Sequence, residues 1–73
     1  MNALTVKGEN RIICVSNNIT LLENISLSIE TEINERHFAE DPKTVNTHNL
    51  IRFGVTDLEF DQYILEIIPV RVV

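Results

Sequence analysis

Between Asn24 and Asn34 the chain alternates at every position. Ile25, Leu27, Ile29, Thr31 and Ile33 fall on one face of an extended strand, and Asn24, Ser26, Ser28, Glu30, Glu32 and Asn34 on the other, because successive side chains of a strand point to opposite faces. One apolar and one polar face is the pattern of a half-buried antiparallel strand. A helix is the rival. Leu21, Leu22, Ile25, Ile29 and Ile33 share one arc of a helical wheel, and Thr20 with Glu23 fits a capping box. Leu27 falls off that arc, and Asn24, Ser26, Ser28 and Thr31 are poor interior helix residues. The strand template accounts for the whole run and is preferred, with a bulge or turn near Leu22–Asn24.

The rest of the chain leans the same way. Ile, Val and Thr supply 23 of the 73 residues, and β-branched side chains pack well on a pleated surface. Ala3–Lys7 and Arg11–Ser16 read as strands of a hairpin joined through Gly8-Glu9-Asn10, whose Gly and Asn can take the positive φ of a tight turn. Leu50–Val55 reads as a further strand, with Gly54 at a bulge or close backbone approach. Thr56-Asp-Leu-Glu59 fits a capped short helix. Tyr63–Val73 reads as the closing strand, placed at an edge by Pro69. Between them, 36–49 is a polar loop with Asp41-Pro42 and no sustained period. The expected fold is a single small α+β domain over 1–73, β-dominated, with an antiparallel sheet of three to five strands and at most one or two short helices.

Charge narrows the function. Eleven acidic and six basic residues give a net −5. Residues 23–41 hold Glu23, Glu30, Glu32, Glu35, Glu40 and Asp41 against Arg36, and 57–66 add Asp57, Glu59, Asp61 and Glu66. Such a surface repels phosphate, which disfavours direct nucleic-acid binding, and attracts basic protein surfaces. It also keeps a small domain soluble. Cys14 is the single cysteine, so neither an internal disulfide nor a cysteine-based zinc site is available. The segment Met1–Lys7 lacks the apolar run of a signal peptide. The longest apolar stretch, Tyr63–Val73, is broken by Glu66 and Arg71 and is too short to span a bilayer. The expected location is the cytoplasm, without membrane contact.

Catalytic patterns are missing. There is no Gly-x-Ser-x-Gly and no glycine-rich phosphate cradle, and the carboxylates sit among Ser, Thr, Asn and Gln. His37 and His48, eleven residues apart, lack metal-ligand spacing. The chain is expected to be no enzyme and to use no metal or cofactor. The expected function is a protein-binding module docking on a basic surface of a larger nucleic-acid-handling protein and inhibiting or regulating it. Small acidic phage-type inhibitors of host transcription or nucleases are the analogy. Its contact residues would be Glu30, Glu32, Glu35, Glu40 and Asp41, with Phe38 as anchor. The alternative is an assembly domain that self-associates through sheet edges, including Val70 and Val72, into a homodimer or larger complex.

Overall fold

A computed structural model describes residues 1–71. The described chain runs β1 (Asn2–Val6), β2 (Arg11–Ser16), α1 (Ile19–Phe38), a 3-10 turn (Pro42–Thr44), α2 (His48–Arg52) and β3 (Leu65–Pro69). The three strands form an antiparallel sheet in the order β2-β1-β3. This is the expected small α+β fold with a three-stranded antiparallel sheet, but strand and helix content are roughly equal rather than β-dominated, because α1 runs for 20 residues where only short helices were expected. Of the closing strand expected over Tyr63–Val73, Leu65–Pro69 is strand, and Val72 and Val73 lie outside the described residues.

The hairpin forms where turn chemistry points. Gly8 takes φ 82°, a conformation in which a β-carbon is strained, and Glu9 N–H donates to Val6 O at 3.1 Å. The ladder slips once: Leu4 faces Cys14 but Thr5 faces Ile12. That bulge leaves Ile13 unpaired and lets neighbouring Ile13 and Cys14 both pack against the core. Burial pushes the Cys14 thiol pKa up, so it behaves as a small apolar group. β3 is an edge strand, as Pro69 at its end requires.

The strand expected over 24–34 is instead the middle of α1. Ile25, Ile29 and Ile33 are four residues apart, a spacing that suits a period of 2 and a period of 3.6 alike. Leu27, Thr31 and Glu32 discriminate. Leu27 is 63% exposed and Thr31 is exposed, whereas Glu32, on the supposed polar face, is 6% exposed. The buried set is Leu22, Ile29 and Ile33, with Ile25 partly covered, which is one helical stripe. Its N-cap is Asn18, two residues before the Thr20 expected; the Asn18 side chain accepts from Leu21 N–H at 3.2 Å. Mid-helix Ser28 is accommodated by donating to Asn24 O at 3.0 Å, and Arg36 and His37 occupy the last turn, where the helix dipole favours positive charge.

The strand expected over Leu50–Val55 is also replaced. Its first residues belong to α2, and Gly54 at φ 67° ends that helix. Gly54 N–H donates to Ile51 O and Val55 N–H to Leu50 O, the paired bonds of a Schellman motif. Leu50 and Val55 are fully buried by this reversal rather than by strand alternation. Residues 56 and 57 form a turn and 58 and 59 are irregular, in place of the expected helix, and the 36–49 loop shrinks to the residues between α1 and α2.

α1 lies on one face of the sheet. Leu4, Val6, Leu22, Ile29, Ile33, Leu50, Val55 and Leu58 make one core. The opposite sheet face carries Ile12, Val15 and Ile68 at 60%, 50% and 37% exposure, in register with Thr5 and Ala3 of β1.

Candidate functional site

The segment between α2 and β3 is irregular but anchored. Val55 and Leu58 are buried in the core. From α1, Arg36 donates to Thr56 O at 2.9 Å and also to Leu58 O. From β2, Arg11 donates to Gly54 O and grips Asp57 with two hydrogen bonds of 2.7 and 2.8 Å. A bidentate guanidinium–carboxylate pair fixes geometry as well as charge. The Arg11 hydrogen bonds hold the Asp57 carboxyl at about 2, below its usual 3.8.

A depressed carboxylate pKa adds stability above its unfolded value that disappears as pH falls through the folded one. The Arg11–Asp57 contribution is therefore complete above about pH 4 and lost towards pH 2. Melting temperatures of the wild type and Asp57→Asn are expected to converge over that interval and to differ above it. Coincident curves at every pH would show that the pair adds nothing.

With that segment fixed, Phe60 meets the end of α1. Its ring stacks on His37 at 4.4 Å between centroids and 13° between planes. Phe38 meets His37 edge-on at 4.7 Å and Phe60 at 5.4 Å. The cluster is not sealed: Phe38 is 70% exposed and Phe60 39%. Two small hollows adjoin it. One is lined by Ile33, Arg36, His37, Glu59 and Phe60, and the other by residues that include Glu30, Asn34, Phe60 and Asp61. Phe60 is common to both. Aromatic rings with a carboxylate border suit a partner bearing apolar and basic groups.

No family model matches the chain, and no curated protein or solved structure matches it. Function must come from the geometry.

On a helix the expected acidic contact residues separate. Glu32 and Glu35 are almost one turn apart and face the 46–49 segment, whereas Glu30 lies about 140–160° round the axis from both. Glu30 accepts from Ser26 Oγ at 3.5 Å and shares a hollow with Asp61. Glu35 and Glu40 are exposed. Asp41 caps the 3-10 turn, accepting from Lys43 N–H at 3.1 Å. Phe38 stands out from the surface and gains two aromatic neighbours. His37, Glu59, Phe60 and Asp61, which the sequence reading did not place among the contact residues, meet at this cluster. The signal for the last three is the Glu59-Phe60-Asp61 triplet, an aromatic between carboxylates in a polar stretch.

Glu32 is buried rather than displayed. Its Oε1 accepts from Asn49 N–H at 3.0 Å. Thr47, the N-cap of α2, makes no side-chain cap bond, and Asn46 Oδ1 accepts from His48 N–H at 3.0 Å. A carboxylate from α1 thus caps α2 across the tertiary structure, where the helix dipole favours negative charge. Glu32→Ala is expected to cost about 1–3 kcal/mol, the penalty for stranding a buried amide. Glu32→Gln keeps the acceptor oxygen and should retain most of that stability. Denaturant melts and Asn49 amide exchange measure both; equal losses in the two variants would refute the capping role.

Among the described residues, no group of three or more His, Cys, Asp or Glu side chains is placed to hold a metal ion. No described helix is long and apolar enough to cross a membrane.

Proposed function

We propose that this chain is a cytoplasmic, non-enzymatic protein-binding module that docks on a basic surface of a larger nucleic-acid-handling protein and inhibits or regulates it. The supporting observation is the exposed His37–Phe38–Phe60 cluster, whose adjoining hollows include Glu30, Glu59 and Asp61. Exposed aromatics supply the desolvated anchors that carry binding energy, and surrounding charge speeds encounter and selects partners. The module contacts the protein rather than nucleic acid, since its carboxylates repel phosphate. One hollow, at about 230 Å³, falls below the usual range for small-molecule pockets and suits a protein side chain.

The test is capture from a lysate of the source organism with the wild type and with Phe38→Ala/Phe60→Ala, followed by mass spectrometry. The same nucleic-acid-handling protein should be recovered at low salt, be lost with the double variant, and weaken as salt shortens the screening length below about 10 Å. A partner held equally by both proteins at every salt concentration refutes the reading.

A second reading, self-association, is favoured by Ile12, Val15 and Ile68 on the sheet face opposite α1, and by the outer edges of β2 and β3, which no other strand covers among the described residues. It requires binding that resists salt, and light scattering distinguishes it.

A further inference from the structure

A second groove runs between α1 and the segment before and into α2. Leu27, Thr31, Glu32 and Glu35 line it from α1, with Asn46 and Asn49 opposite. We propose that this groove is a slot for one arginine side chain of the docking partner, whose guanidinium is held by Glu32 and Glu35. The source of the arginine rests on the reading of the module as a binder of basic protein surfaces.

The decisive feature is Glu32. Only 6% of the residue is exposed, and its Oε2 is shielded from solvent with no hydrogen-bond partner among the described residues. A buried carboxylate oxygen without a donor is costly, and a charged donor relieves that cost. Its other oxygen is already committed to Asn49 N–H, so the carboxylate cannot turn away without uncapping α2. Glu35, almost one turn further along α1, is exposed and adds a second negative charge on the same side. Glu35, which is exposed, can change rotamer to admit a head group.

The groove's composition follows the form of arginine. Leu27, 63% exposed, offers an apolar surface for the aliphatic stem. The carboxylates and amides offer acceptors to a planar group with five N–H donors. Guanidinium is also less strongly hydrated than ammonium, so it loses less on approaching a buried carboxylate. A divalent ion is a poorer occupant because only two carboxylates line this groove.

The probe is N-acetyl-arginine N-methylamide, titrated into the ¹⁵N-labelled protein, with the citrulline and lysine counterparts as controls. Citrulline keeps the shape and loses the charge; lysine keeps the charge and loses the planar fork. Saturable shifts are expected at amides of 28–35 and 46–49, with citrulline binding at least about tenfold weaker. Glu35→Gln, at an exposed position that does not support the core, should weaken arginine binding about three- to fivefold, within the range of an exposed ion pair. Glu32→Gln should weaken it further. Equal shifts from citrulline or lysine, shifts spread without saturation over Glu23, Glu40 and Glu66, or an unchanged affinity in Glu35→Gln would overturn the slot. The aromatic docking site is tested separately by Phe38→Ala/Phe60→Ala, which leave this groove intact.

Discussion

Ile29→Ala is expected to remove most of the protein's stability at 25 °C, whereas Leu27→Ala should leave stability within about 0.5 kcal/mol of wild type. Both positions lie on the apolar face of the alternating run, so a strand would make them comparable. In α1 they are opposites: Ile29 is fully buried and Leu27 is 63% exposed. Removing a buried isoleucine side chain costs about 2–5 kcal/mol, including the cavity it leaves. A single core in a chain of this size supplies about 3–5 kcal/mol in total. The first substitution consumes most of the available stability and the second touches almost none of it. Circular dichroism during urea unfolding measures both. Similar losses at the two positions would contradict the helix.

Phe38→Ala and Phe60→Ala should each weaken partner binding by about 30-fold, the effect of losing roughly 2 kcal/mol at an interface anchor. Phe38 gives the cleaner result because it is 70% exposed and contributes little to the fold. Phe60 is partly covered and stacks on His37, so its substitution also frees that ring. The measurement is titration calorimetry with the recovered partner, with melting temperature as the folding control. Charge reversal at Glu59 or Asp61 should instead reduce the association rate and the salt dependence. An affinity unchanged by both alanine substitutions would remove the aromatic cluster from the interface.

The parts of the fold that were legible in sequence are those set by local chemistry. Gly8-Glu9-Asn10 announces a hairpin because Gly8 takes a positive φ, and Pro69 places β3 at an edge because proline donates no hydrogen bond. α1 was misread because isoleucines four apart satisfy two periods, and burial settles which one applies. Leu50–Val55 was misread because Gly54 fits a bulge and a helix C-terminus equally well in sequence; the bonds to Leu50 and Ile51 distinguish them. Of the candidate site, Phe38 was legible as an aromatic in a polar stretch. Its meeting with Phe60 depends on Arg11 and Arg36 holding residues 54–58, contacts between distant parts of the chain. Glu32 was read as a surface charge because the strand template placed it opposite the isoleucines.

The central position of β1 also governs the order of assembly. Residues 2–6 pair with 11–16 on one side and with 65–69 on the other. On the ribosome the hairpin can close early, but the second edge of β1 stays open until 65–69 have emerged. Throughout that interval Leu4 and Val6, destined for the core, belong to a strand that another nascent chain could extend. The sheet is thus completed only once residues 65–69 have followed both helices out, and the interval between the two pairings is the time for which the open edge is at risk.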